Sequence, residues 1–217
     1  MKFKNIFSLF LAIIISFSFA SISYGDETDK ELAETTVKEQ NAEQRAEEIL
    51  SSMTLEEKIA QMFMVYMPNK NATKIQKKYQ FGGYLLFADN FKNKSYSEKK
   101  KQIESYQNAS KLNMLIAVDE EGGAINRVSL YKQYRKTPFL SPQKLYSKGK
   151  YKKIKSDTRE KAKLLLDLGI NTNLAPVADT PYKKSDYIYY RTFSTSAKKN
   201  SKYVKTVVKE MSKKNLV

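Results

Sequence analysis

Four short apolar runs, each leaving through a polar turn, restrict this chain to a narrow set of folds. They are Met62 to Met67, closed by Pro68; Tyr84 to Phe87, entered through Gly82-Gly83 and left through Ala88-Asp89-Asn90; Met114 to Val118, left through Asp119-Glu120-Glu121-Gly122-Gly123; and Thr172 to Val177, left through Ala178-Asp179. None alternates polar with apolar residues, as expected of strands buried on both faces. Amphipathic helices are expected between them. Thr54-Leu55-Glu56-Glu57 has the form of a capping box opening a helix toward Met62. A helix near Ser97 to Lys111 places Ile103, Tyr106 and Gln107 on one side. After a long Lys/Tyr-rich connection, a helix over about Asp157 to Leu168 turns Leu164, Leu165 and Leu168 inward and stops at Gly169. The last, from about Ala197 to Lys213, carries Val204, Val207, Val208 and Met211 at helical spacing, with Asn215 as its cap.

Strand-helix alternation implies parallel strands with helical crossovers. Two solutions satisfy it, an open doubly wound sheet and a closed barrel. No G-x-G-x-x-G follows the first strand and no Walker loop is present, so the nucleotide-binding versions have no support. Asp89, Asp119 and Asp179 fall just after strands, the positions that form the functional rim of a barrel. The expected class is therefore α/β of the (β/α)8 TIM-barrel type, represented by about the first four strand-helix units of the eight that closure requires.

The N-terminus reads separately. Lys2 and Lys4 precede a nearly unbroken apolar run from Ile6 to Ala20, and Ser23-Tyr24-Gly25 supplies small residues before Asp26. That is the layout of a secretory signal peptide over 1–25, with cleavage expected over retention as an anchor. Residues 26–42 are polar and free of aromatics and read as a linker, leaving 43–217 as the folded domain. An exported location, secreted or wall-associated, follows.

Composition removes whole classes of chemistry. The chain has no histidine and no cysteine, so the commonest general base, the commonest metal ligand and every thiolate are missing from it. No metal or cofactor is expected. The net charge of +16 is carried by lysine, since only Arg45, Arg127, Arg135, Arg159 and Arg191 are arginines. These lysines are spread along the chain without a nucleic-acid motif, and no nucleic-acid partner is expected. Anionic cell-wall polymers remain a partner that such charge would suit.

Three segments could carry chemistry. Asp119-Glu120-Glu121-Gly122-Gly123 puts carboxylates at a rim where backbone can approach a ligand closely, although acids and glycines are equally common in solvated turns. Arg127 follows eight residues after Asp119, and an arginine in so lysine-rich a chain suggests a bidentate partner. Arg191 lies in Tyr189-Tyr190-Arg191-Thr192-Phe193, where aromatics suit either stacking on a sugar ring or packing beneath a loop.

Five stretches taken in order resemble glycoside hydrolase family 3, in its β-N-acetylhexosaminidase branch. They are Met53-Thr54-Leu55-Glu56-Glu57-Lys58-Ile59-Ala60-Gln61-Met62; Phe81-Gly82-Gly83-Tyr84-Leu85-Leu86-Phe87; Ile116-Ala117-Val118-Asp119-Glu120-Glu121-Gly122-Gly123 with Arg127; Leu168-Gly169-Ile170-Asn171-Thr172-Asn173-Leu174-Ala175-Pro176-Val177-Ala178-Asp179; and Arg191-Thr192-Phe193. The resemblance implies that Asp119 grips hydroxyls of the non-reducing sugar and that Arg127 and Arg191 are substrate contacts. It also implies removal of terminal N-acetylhexosamine with retention, using an aspartate nucleophile and a histidine-aspartate acid/base pair from a segment after the fifth strand. The chain reaches Asn215-Leu216-Val217, where that strand should begin, and holds none of these catalytic groups. A fragment inactive by itself is the expectation. The alternative is a non-catalytic, carbohydrate-binding wall protein.

Overall fold

The computed structural model describes residues 41–217, so the expected signal peptide and most of the expected linker lie outside the described residues. Among the described residues, 41–53 and Thr54–Val217 belong to two units. In the first, residues 41–52 are helical and almost entirely exposed. Among the described residues no helix is long and apolar enough to cross a membrane.

The second unit opens with α1 (Leu55–Gln61), and the expected capping box forms: the Thr54 hydroxyl accepts from the Glu57 N–H while the Glu57 carboxylate accepts from the Thr54 N–H. Then come β1 (Met64–Tyr66), α2 (Ala72–Tyr79), β2 (Gly83–Leu86), a 3-10 turn (Ala88–Asn90), α3 (Tyr96–Asn108), β3 (Leu115–Val118), α4 (Pro142–Asp167), β4 (Thr172–Asn173) and α5 (Ala197–Ser212). The four strands pair in parallel in the order β1-β2-β3-β4, with Tyr84 opposite Ile116 and Leu86 opposite Val118. Sequential parallel order with a helix at each crossover is the winding of a barrel rather than of a doubly wound sheet, which reverses direction partway. The expected fold class stands. Beyond β4 the pairing continues, since Val217 donates to the Asn171 carbonyl at 3.0 Å and accepts from the Asn173 N–H at 2.7 Å.

The helix-facing side of the sheet holds the core. Tyr84, Leu86, Ile116 and Val118 are fully buried with Ile103, Leu165 and Leu168. Tyr84 and Tyr106 meet edge to face at 5.4 Å, and their hydroxyls are satisfied by the Ala72 carbonyl and Met67 Sδ, which lets two phenols lie in an apolar interior. The other side of the sheet, the inside of a barrel, is less covered, and Tyr66 and Leu115 stay close to half exposed. Gly169 ends the helix at positive φ, and Asn215 takes the left-handed conformation after α5, both as expected.

Three expectations need correction. The second half of the Lys/Tyr-rich connection is helical: α4 begins at Pro142 behind the Ser141 cap and breaks at Gly149-Lys150 before running on. Ser-Pro is a helix-opening pair, and lysine favours a helix once a cap exists. A short helix, α2, also fills the β1–β2 crossover, presenting Ala72 and Gln76 to the interior. The fourth strand stops at Asn173 rather than Val177, because Pro176 has no N–H to offer a neighbouring strand. Of the α5 residues at helical spacing, Val207 and Met211 are buried while Val208 is about half exposed.

One core residue is anomalous. Lys99 on α3 is fully buried, with its Nζ 4.8 Å from the Phe91 ring centre and 3.1 Å from Gln102 Oε1. Desolvation lowers its pKa to about 7. A lysine depressed in the fold costs stability fully below its folded pKa, and that cost fades as pH rises toward the unfolded value. Stability should therefore climb between about pH 7 and pH 10.5. Lys99→Met should flatten that climb and raise the melting temperature at pH 6 by roughly 5–10 °C. Melts across that pH range check it, and a variant that melts below the parent at pH 6 would contradict the assignment.

Candidate functional site

The site is built at the carboxyl ends of the strands. After β3 the chain enters Asp119-Glu120-Glu121-Gly122-Gly123, and the three acids take three different environments. Asp119 reaches the rim, where its Oδ2 accepts from Arg127 Nη2 at 3.1 Å, both side chains being about one-fifth exposed. Glu120 points inward and is fully buried. It accepts the backbone N–H groups of Arg127, Val128 and Ser129 at 2.7, 2.7 and 3.2 Å, and the Ser129 hydroxyl. A carboxylate so surrounded acts as a template, folding the following turn back over itself. Glu121 points sideways, buried, and accepts Arg191 Nε at 3.0 Å and Nη2 at 2.6 Å in a fork. That hydrogen bond raises the Arg191 pKa still further above its ordinary value.

The glycines that follow make the fold-back possible. Gly122 and Gly123 have φ of 101° and 72°, and a Cβ on either would strike the 139–141 segment, 2.4 Å from the Leu140 carbonyl oxygen or 2.7 Å from Ser141 Cβ. Their N–H groups are fixed by the Ile125 and Phe139 carbonyls. From α4, Lys161 reaches under the loop and donates to the Glu121 carbonyl at 3.0 Å, with Asp157 4.0 Å away. Burial lowers the Lys161 pKa and raises that of Asp157. From β4, the Asn173 side chain accepts the Glu120 N–H at 2.9 Å.

Around the Asp119–Arg127 pair the rim is aromatic. The Arg127 guanidinium lies 5.1 Å from the Phe87 ring centre, and Phe87 stacks on Tyr66 at 5.1 Å, so the ends of β1, β2 and β3 contribute to one surface. Arg191 also donates to the Tyr187 hydroxyl at 2.6 Å. Asp119 and Arg127 are thus brought into contact. Arg191 joins the same loop through Glu121, with part of its donor fork already committed. Asp89 and Asp179, the other rim acids, are exposed and make no side-chain hydrogen bond or ion pair among the described residues. Glu120, Glu121, Asn173 and Lys161 were not singled out from sequence. The one available signal was that three consecutive acids after a strand cannot all face solvent in the same way. Among the described residues no cluster of carboxylates could hold a metal ion.

A partly exposed carboxylate locked to an arginine beside stacked aromatics can take the hydroxyls of a sugar and the C–H face of its ring. Comparison with known proteins points the same way. Residues 54–217 match the family model described as the glycosyl hydrolase family 3 N terminal domain. No curated protein matches the chain. Among solved structures, M. tuberculosis LpqI superposes with a TM-score of 0.66 at 20% identity, over 77% of this chain and 48% of that one. A family 3 β-N-acetylglucosaminidase from Paenibacillus sp. gives 0.66 at 21%, over 75% and 32%. A β-N-acetylhexosaminidase from Beutenbergia cavernae gives 0.64 at 18%, over 76% and 52%. The chain spans about half the length of these structures or less.

Proposed function

This chain belongs to glycosyl hydrolase family 3, and on that premise we propose that it supplies the sugar-gripping half of an exported β-N-acetylhexosaminidase that releases terminal N-acetylhexosamine with retention. The observation that carries this is the Asp119–Arg127 pair at the carboxyl rim of a parallel β/α sheet, where barrel enzymes bind their substrates. The Asp119 carboxylate accepts two sugar hydroxyls. Arg127 fixes its orientation, and the uncommitted N–H groups of Arg127 and Arg191 donate to ring substituents. The Phe87–Tyr66 stack offers an apolar face to the pyranose.

Retention requires two carboxylate-type groups flanking the glycosidic bond. With no histidine in the sequence, an acid/base of the histidine-aspartate type has to come from outside these residues. The 217-residue chain is therefore expected to bind sugar without cleaving it. Incubation with a 4-nitrophenyl N-acetyl-β-glucosaminide should release no nitrophenol above the spontaneous rate, and catalysed release by pure chain would refute the division of labour. Titration with N-acetylglucosamine, followed by amide shifts near Asp119, tests the grip. Asp119→Asn should weaken binding by roughly tenfold or more, since hydrogen bonds to a charged group contribute about 1.5–3 kcal/mol. Equal affinity in the two proteins would reject the role given to Asp119.

A further inference from the structure

A second concave surface lies behind the loop that carries Arg191. It encloses about 500 Å³ between the start of α4, the β4–α5 loop and the first turns of α5. Neither Asp119 nor Arg127 lines it. Its walls are Tyr146, Tyr151, Tyr189 and Phe193, and its charged rim is Lys199 and Lys202, with no acidic side chain among the lining residues. Of these rings, Tyr146, Tyr151 and Phe193 form a connected cluster, while Tyr189 pairs with Tyr190. Tyr146 meets Tyr151 at 5.4 Å and Phe193 at 5.2 Å, both edge to face, and Phe193 stacks on Tyr203 at 4.9 Å. Gln143 Nε2 donates to the Tyr189 and Thr192 carbonyls at 2.8 and 3.1 Å, so the loop forming one wall is latched before any ligand arrives.

The charge here is uncompensated. Among the described residues no carboxylate lies within ion-pair distance of Lys199 or Lys202. The first turn of α5 holds Lys198 and Lys199 and no acid, an arrangement the helix dipole disfavours unless an anion is near. Lys202 is exposed, and its Nζ sits 4.8 Å from the Tyr151 ring centre, so its charge lies beside the aromatic wall.

We propose that this cavity is a second saccharide subsite, selective for a sugar unit that bears a phosphate or carboxylate: the pyranose packs its C–H face on the aromatic cluster while Lys199 and Lys202 take the anion. A cavity of a few hundred Å³ admits one such unit. Ring faces alone would accept any sugar, and lysines alone any anion. Together they favour the molecule that carries both.

The full chain is titrated with N-acetylglucosamine, N-acetylglucosamine 6-phosphate and inorganic phosphate, and amide shifts over residues 192–202 are followed apart from those near Asp119. The phosphorylated sugar should bind this segment about tenfold more tightly than either the neutral sugar or phosphate, the increment expected from charge-assisted contacts. Lys199→Gln/Lys202→Gln should remove the advantage of the phosphate and leave the neutral sugar unchanged. Tyr189→Ala should weaken both sugars and leave phosphate unchanged. Asp119→Asn should alter none of these shifts, which separates this subsite from the one proposed above. Equal affinity for phosphate and phosphorylated sugar, equal affinity for the two sugars, absence of shifts over 192–202, or insensitivity to the lysine pair would each overturn it.

Discussion

Glu120→Ala should remove a large share of the domain's stability, although the side chain removed touches no substrate. Three backbone N–H groups and a serine hydroxyl converge on this carboxylate in a fully buried position. Alanine leaves the three N–H groups without partners, the Ser129 hydroxyl keeping only Asn126 Oδ1 at 3.0 Å, and opens a void too small to hydrate them all. An unsatisfied buried donor costs about 1–3 kcal/mol, so losing several acceptors together costs roughly 4–6 kcal/mol. Domains of this size hold only about 5–15 kcal/mol in reserve. Glu120→Gln keeps one oxygen but turns an N–H group toward donors already present, and should fall between the two. Urea denaturation of the three proteins measures this directly. A Glu120→Ala midpoint close to the parent's would show that the turn after β3 does not depend on its buried acid. Because the same acid holds the Arg127 N–H, a variant that stays folded should also lose sugar affinity, through displacement of Arg127 rather than through lost contact.

What the sequence revealed and what it hid divide along the range of the interactions. Thr54, Gly169 and Asn215 act within a few residues of themselves, and their roles could be read from local spacing. The four strands were visible because burial on both faces makes them continuously apolar, even though their limits shifted by up to four residues. Asp119 and Arg127 lie eight residues apart, and the glycine-led turn between them is local enough to imply contact. The Glu121–Arg191 fork spans 70 residues and the Lys161–Glu121 bond 40, and nothing near either end announces them. Helices α2 and the first half of α4 were missed for a different reason. Their stability comes from burying Ala72, Gln76 and Leu145 in the interior rather than from a strong apolar stripe of their own. Lysine-rich surface sequence obscured the few buried positions that fix them.

Gly122→Ala should be nearly as damaging as loss of Glu120, and by a cause that involves no hydrogen-bonding side chain. With φ at 101°, Gly122 occupies backbone space that L residues rarely adopt. The added Cβ would also lie 2.4 Å from the Leu140 carbonyl oxygen, a backbone atom that cannot rotate away as a flexible side chain would. Strain of about 1–3 kcal/mol from the dihedral and a similar amount from overpacking give roughly 2–6 kcal/mol in all. The chain can escape only by lifting the 139–141 segment, which would break the Gly123–Phe139 bond at 2.8 Å and release the fold-back that sets Arg127 against Asp119. The substitution should therefore lower the thermal midpoint by more than 5 °C. Below the new midpoint, sugar affinity should still fall by tenfold or more, because the binding pair is no longer held in register. A stable variant with unchanged affinity would mean that the turn relaxes without disturbing the pair, and the glycines would then matter for folding alone. A stable variant with lost affinity would identify Gly122 as the position that couples the shape of the loop to the grip of the site.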